Sequence, residues 1–145
     1  MTEEQQKLLQ KLYRDQQIAE SNLNALQQQI ELTQVLLNQY QSGFAVLKEL
    51  ESGKEGEETL LNVGGGVFVQ AKLIGTSKVT RALGSGVRIE QSLEQAIDGV
   101  EKAIESLGKQ YESLISELGK LARWSEEIDA QMRQLANQMQ GQGAQ

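Results

Sequence analysis

The fold of this chain is decided by residues 58–91, which read ETLLNVGGGVFVQAKLIGTSKVTRALGSGVRIEQ. Over residues 67–73 side chains alternate with a period of two, which is typical of a β-strand. Glycine-rich triplets at 64–66 and 84–86 stand where tight turns are expected, because glycine adopts positive φ without steric cost. The segment therefore predicts two β-hairpins in succession.

On both sides of this segment, apolar residues recur at gaps that alternate between three and four. The first repeat comprises Leu9, Leu12, Gln16, Ala19, Leu23, Leu26, Ile30, Thr33, Leu37, Tyr40, Phe44 and Leu47. The second comprises Ile97, Val100, Ile104, Leu107, Tyr111, Leu114, Leu118, Leu121, Ser125, Ile128, Met132, Leu135 and Met139. Such repeats keep one narrow stripe facing a partner helix, which is the pattern of a coiled coil. We call each stripe a seam.

Two capping boxes mark where the helices begin. Thr2 precedes Gln5 by three residues and Ser92 precedes Gln95 by three, so that hydroxyl and amide can satisfy each other's backbone N–H groups. The expected elements are a first coiled-coil helix over 2–51, the hairpins over 58–91, a second coiled-coil helix over 92–140 and a frayed tail over 141–145. The predicted fold class is mainly α, a long antiparallel two-helix coiled coil with two β-hairpins between the helices, as a single unit over 1–145.

The composition excludes several classes of function. The chain has 145 residues, a net charge of −6 and no histidine, cysteine or proline. Without histidine or cysteine it lacks the commonest general base, thiolate chemistry and the commonest metal ligands. We therefore expect no enzyme, cofactor or metal. The acidic charge gives no footprint for nucleic acid. No apolar run is long enough for a membrane span and the N-terminus does not resemble a signal peptide, so a cytoplasmic protein is expected.

The predicted hairpins are too small to bury their own apolar side chains. Isolated two-stranded hairpins are marginal in water, and their edges are open templates for pairing. The β segment is therefore expected to be an assembly interface that strands of other subunits complete. The alternative is a self-contained β cap beneath the helices.

The helix ends far from the hairpins allow two interpretations. The seam weakens there, with Gln16, Ala19 and Ser125 at core positions. If the ends open, they offer an adaptable apolar grip, in which flexible methionines suit irregular partners. This grip consists of Leu8, Leu9, Leu12, Met132, Leu135 and Met139. Alternatively, the same stripe is coiled-coil core and the methionines fill gaps.

The linear sequence of the hairpins resembles that of prefoldin α subunits. The resemblance is carried by Leu60–Leu73 (LLNVGGGVFVQAKL), Lys78-Val79 and Gly84–Glu90 (GSGVRIE), together with the order helix, two hairpins, helix. Two hairpins indicate the α class, and the glycine-rich sequence of the hairpins is similar to that of archaeal members. Asn62 departs from the family, whose members often have proline there, and Thr80-Arg81-Ala82 is more polar than the expected aliphatic strand.

Membership would imply an ATP-independent chaperone. The implied partners are β-type subunits, four with two α, along with non-native client proteins and a group II chaperonin that receives them, without nucleic acid or membrane. The hairpins would build an intersubunit β-barrel, and the grip residues would touch clients. The barrel and subunit contacts are assigned to Phe68, Val69, Ala71, Leu73, Val79, Leu83, Val87 and Ile89. The alternative function is a structural subunit that polymerises through its β segment into filaments.

Overall fold

The computed structural model describes residues 2–53 and 55–143 and contains two helices and four strands. The elements are α1 (Glu3–Glu51), β1 (Glu58–Gly64), β2 (Val67–Lys72), β3 (Lys78–Gly84), β4 (Val87–Ser92) and α2 (Leu93–Gln142). This confirms the predicted fold class and the order of its elements. Helix α2 continues through Gly141 to Gln142, where the sequence predicts a tail, and residues 144–145 of that tail lie outside the described residues.

Both helices begin at the capping boxes that the sequence predicts. The backbone N–H of Gln5 donates to the Thr2 hydroxyl at 3.2 Å, and that of Thr2 donates to the Gln5 side chain at 2.9 Å. Ser92 and Gln95 exchange the equivalent bonds at 3.1 and 3.2 Å. Each pair satisfies backbone donors that the first turn of a helix leaves without partners.

The chain divides into two compact units, Met1–Val35 with Lys109–Gln145, and Leu36–Gly108. In the first unit α1 and α2 pack along their seams. Leu12 (2% exposed), Ala19 (0%), Ile128 and Leu135 form a buried cluster. On α1 the buried residues of this unit fall seven residues apart, at Leu12, Ala19, Leu26 and Thr33.

Gln16 and Ala19, a polar and a small residue of the first seam, both have contacts with side chains of α2 or of the buried cluster. The side-chain amide of Gln16 donates across to the Asp129 carboxylate at 3.2 Å, so this core position has a partner on the other helix. Trp124 packs against the cluster that contains the fully buried Ala19. A polar contact of this kind favours one register of a coiled coil over its alternatives.

The second unit contains the two hairpins, and these are structural repeats of each other. Strands β1 and β2 pair from Glu58↔Lys72, and β3 and β4 pair from Lys78↔Ser92, so the partners are displaced by twenty residues (58 to 78, 72 to 92). Both pairings are antiparallel, and both shift register one residue before the turn. The closing bonds repeat as well, because Leu73 N–H donates to Glu57 O at 3.0 Å and Leu93 N–H donates to Ser77 O at 3.2 Å.

The turns explain the glycine triplets. Every residue of both turns has positive φ, including Ser85 at 51°, the one residue of the six that is not glycine. Two consecutive central residues with positive φ match the right-handed twist of the flanking strands. In the first turn, Asn62 Oδ1 accepts a hydrogen bond from Gly64 N–H at 2.9 Å, which accounts for asparagine at this position.

We expect Leu12→Ala to lower the free energy of unfolding by about 2–5 kcal/mol, because it leaves a cavity between two helices. The matched control is Leu32→Ala, which makes the same change on α1 at a side chain 62% exposed. It should change stability by no more than about 0.5 kcal/mol. Urea denaturation followed by circular dichroism measures both, and equal losses would contradict this account of the core.

Gly66→Ala should weaken the first hairpin by about 1–2 kcal/mol, because φ is +74° at this residue and a side chain is strained there. Gly75→Ala is the control, since Gly75 lies in open space without a positive φ. Amide hydrogen exchange of β1 and β2 measures the effect, with β3 and β4 as an internal reference. Unchanged protection in Gly66→Ala would count against the turn geometry.

Candidate functional site

The first hairpin carries apolar side chains on both of its faces. Cross-strand partners share a face, and so do residues two apart in one strand. Leu60 and Phe68, the partner of Asn62, therefore lie on one side, whereas the paired Leu61 and Val69 lie on the other. All four apolar side chains are exposed, with Phe68 at 56%. Both faces of this two-stranded sheet therefore expose apolar side chains, although the face with Leu60 and Phe68 also carries Glu58, Asn62, Gln70 and Lys72.

The second hairpin is built differently on its two faces. One face is fully exposed and almost entirely polar, and it comprises Lys78, Thr80, Ala82, Arg88, Glu90 and Ser92. The other face is less exposed and comprises Val79, Arg81, Ile89 and Gln91, of which Val79, Arg81 and Gln91 are partly buried. The repeated backbone therefore carries two unlike surfaces.

The predicted interface residues are spread over these surfaces rather than gathered on one. Phe68, Val69, Leu83, Val87 and Ile89 are exposed. Ala71, Leu73 and Val79 are partly buried. Phe68 and Val69 lie on opposite faces of the first hairpin, whereas Val79 and Ile89 share the less exposed face of the second.

Sequence reasoning left out other exposed apolar residues of this segment, among them Leu61, Val63, Val67 and Ile74. Ile74 is the most exposed of them at 89%. Its position, between the end of β2 and a glycine, is the signal that could have drawn attention to it. Leu61, Val63 and Val67 thus add to the exposed apolar surface of the first hairpin.

The residues of the predicted grip lie together in the unit formed by 1–35 and 109–145, but they are not equally accessible. Leu12 and Leu135 are buried in the cluster between the helices. Leu9, Met132 and Met139 pack against that cluster and are partly buried. Leu12 and Leu135 therefore have the core role in this structure.

A shallow groove of about 630 Å³ runs over part of this region. It is lined by Leu9, Tyr13, Met132, Arg133, Ala136, Met139 and Gln140. Tyr13 is exposed and was missed from the sequence, because it lies one position beside the seam. Arg133 carries the one formal charge of the lining, so the groove presents mainly apolar and uncharged groups.

Leu8 lies apart from that groove. It is exposed and lines a separate pocket of about 150 Å³, together with Lys11, Asp15, Trp124 and others. Three charged side chains, Lys11, Asp15 and Glu127, line this smaller pocket. The six predicted grip residues thus divide into buried core, groove lining and one outlying leucine.

Two properties of the described residues bear on metal binding and on membrane insertion. No group of three or more acidic side chains that could hold a metal ion occurs within residues 2–53 and 55–143. Over the same ranges, neither helix has an apolar stretch of the length and hydropathy needed to cross a bilayer.

Comparison with known proteins assigns the family. The family described as prefoldin subunit matches residues 19–138. The prefoldin subunit alpha of Thermofilum pendens is 32% identical over 108 residues, which cover 74% of this chain and 84% of that protein. The matched residues include both hairpins and most of each helix.

Two solved structures share the fold. The filamentous PFD of Methanocaldococcus jannaschii aligns with a TM-score of 0.67 and 22% identity, over 82% of this chain and 98% of that one. The prefoldin beta subunit of Thermococcus strain KS-1 aligns with a TM-score of 0.53 and 20% identity, over 92% of each chain. Together with the helix–hairpin–hairpin–helix order, these comparisons show that the chain belongs to the prefoldin family, as a subunit of the α type.

Proposed function

We propose that this prefoldin subunit works as an ATP-independent holdase. It assembles through its hairpins and binds non-native proteins at the helix ends of the unit formed by 1–35 and 109–145. The observation that carries the proposal is the exposed apolar surface of the first hairpin, because a chain that acted alone would leave this surface in contact with water. Membership of the family supports the chaperone role.

Assembly follows from what the hairpins leave uncovered. Contiguous exposed apolar patches on soluble proteins mark interaction sites. Each sheet has only two strands, so each also leaves unpaired backbone groups along its edges. Hairpins of neighbouring subunits can cover the exposed apolar side chains with their own apolar faces. Their strand edges can also pair with the unpaired backbone groups. We take the neighbours to be β-type subunits, in a particle of two α and four β.

Client binding is assigned to the groove beside the seam. Its methionines can repack around different side chains, and its tyrosine offers an apolar body with a polar tip. Leu12 and Leu135 support the groove from below, so clients can be held without the helices separating. Each contact is weak, and affinity comes from several subunits acting on one client chain.

Release of the client to a group II chaperonin completes the proposed cycle. Membership of the family supports this step. Neither assembly nor holding calls on a nucleotide, because both depend on burial of apolar surface.

A second candidate is a structural subunit that polymerises into filaments. The specific observation in its favour is the fold shared with a filamentous PFD, together with hairpin edges that would be free to continue pairing. Sedimentation with and without a β-type subunit separates the two functions. A closed particle near six chains supports the holdase, and open polymers of this chain alone support the filament.

Phe68→Arg should weaken assembly with a β-type subunit at least tenfold, because burial of a phenyl ring contributes about 1.5–3 kcal/mol. Arginine is chosen because Arg88 stands at the equivalent position of the second hairpin. Thr80→Arg, which adds the same charge to the polar face of the second hairpin opposite Glu90, is the control and should leave assembly unchanged. Sedimentation velocity measures both, and equal behaviour of the two variants would refute the role of the first hairpin.

The double variant Met132→Gln, Met139→Gln should suppress aggregation of a denatured protein several-fold less well at equal concentration. Glutamine keeps the length and the helix propensity of methionine but makes burial of the client's apolar groups less favourable. The assay uses the complex with a β-type subunit, whose assembly should not change.

The control for this variant is Ile115→Gln, at an exposed isoleucine of α2 outside the groove. Point variants are preferred to deletion of residues 1–12 and 132–145, which would also remove Leu12 and Leu135 from the core. If the double methionine variant suppresses aggregation as well as the wild-type chain does, clients do not bind in the groove, and the fold is not called into question.

A further inference from the structure

Helix α2 contains glycines inside its length, and one of them differs from the others in its surroundings. Glycine in a helix interior costs about 1 kcal/mol relative to alanine, so a packing reason is worth seeking. At Gly108 a Cβ atom would lie in open space. At Gly99 it would collide with the guanidinium group of Arg81, with Cζ at 3.0 Å and Nη2 at 3.5 Å. Gly99 therefore leaves room for a side chain of the second hairpin.

Arg81 reaches this place from β3. It pairs with Ile89 and lies on the less exposed face of the hairpin, together with Val79 and Gln91. It is partly buried, although it carries a charge. A planar guanidinium can lie against a bare stretch of helix backbone, and the aliphatic stem of an arginine can cover apolar surface. This explains why a polar residue occupies a strand position that was expected to be aliphatic.

The contact is one of packing rather than of charge attraction. Gly99 lies near the end of the second turn of α2, which begins at Leu93. The field of a helix falls off within its first turn, and near the N-terminus it repels cations. The neighbouring Asp98 is engaged by Lys102, whose ammonium lies 3.0 Å away.

The second hairpin contacts α2 at two places, and two contacts fix its orientation more closely than one. At its base the hairpin is joined to α2 by the hydrogen bond from Leu93 N–H to Ser77 O. This bond and the direct chain connection from Ser92 to Leu93 both lie at the base, so by themselves they leave the rest of the hairpin able to bend there. A second contact several residues along, between Arg81 and Gly99, removes that freedom. The residue equivalent to Arg81 in the first hairpin is Leu61, which is exposed.

We infer that Gly99 and Arg81 form a seat, which holds the β3–β4 hairpin against α2 in one orientation. Arg81 is a positioning residue, and Gly99 is the gap that receives it. The second hairpin thus uses its less exposed face on its own helix, whereas the first hairpin keeps both faces for neighbouring subunits. The consequence for assembly rests on the proposed function, but the seat itself is a property of the single chain.

A double-mutant cycle tests the seat. Gly99→Ala and Gly108→Ala make the same change in the same helix, and the gain in helix propensity alone would raise the melting temperature by about 3 °C. We expect Gly108→Ala to give this rise both with Arg81 and with Arg81→Ala. Gly99→Ala should give the full rise only in the Arg81→Ala background, because with Arg81 in place the methyl group must first displace the guanidinium group at the end of that flexible side chain. Equal rises for both glycines with Arg81 in place would overturn the seat.

Amide hydrogen exchange supplies a local readout that a general loss of stability would not produce. In Gly99→Ala, and also in Arg81→Ala, exchange should accelerate at least fivefold in β3 and β4, with β1 and β2 unchanged. Because Arg81→Ala alters no helix residue, it decides the question even if Gly99→Ala fails to fold. Equal acceleration in both hairpins, or none in β3 and β4, would contradict the proposal.

Mixing with a β-type subunit then connects the seat to assembly. Wild-type chain and Gly108→Ala should assemble equally, and Gly99→Ala should assemble at least threefold more weakly, since its second hairpin is free to pivot. If wild-type chain does not assemble, the proposed function fails, whereas the thermal cycle and the exchange data still decide the seat. Unimpaired assembly of Gly99→Ala would refute the link between them.

Discussion

A hairpin of two strands cannot cover its own apolar side chains, and this chain meets that constraint twice. In the second hairpin one face turns toward the protein, with Val79 and Arg81 partly buried, and the other face is polar. In the first hairpin Leu60 and Phe68 stay exposed on one face, and Leu61 and Val69 stay exposed on the other. Burial of such a surface stabilises an assembly in proportion to the apolar area removed from water. Exposed large apolar side chains are thus more numerous in the first hairpin than in the second, where Leu83, Val87 and Ile89 are exposed.

The paired helices meet a different requirement, because the same apolar stripe cannot be both a closed core and an open binding surface. Leu12 and Leu135 are committed to the core, where a polar bond between Gln16 and Asp129 supports the register. The groove beside them separates the two roles. Met132 and Met139 touch the core on one side and line the groove on the other, while Tyr13 adds area from outside the seam. Under the proposed function, a client in the groove would be held at low cost to the stability of the helices.

Periodicity and capping could be predicted from the sequence because they depend on residues close together in the chain. The 3,4 spacing from Leu9 onwards, the boxes at Thr2 and Ser92, and the glycine turns are all local signals, and the structure has each of them. The candidate site was predicted less completely. Tyr13 lies beside the seam rather than in it, and Ile74 lies in a linker, so neither belongs to a repeating pattern.

The sequence by itself determined the two helices, the two hairpins and their order, since helical and strand periods and left-handed turns are set by neighbouring residues. Only the tertiary structure decided which faces of the hairpins are covered and which leucines are closed between helices. Only the structure places the guanidinium group of Arg81 beside Gly99, a residue that has low helix propensity. These depend on residues such as Arg81 and Gly99 that are distant in the chain, and no periodic pattern records which distant side chain will occupy a given gap.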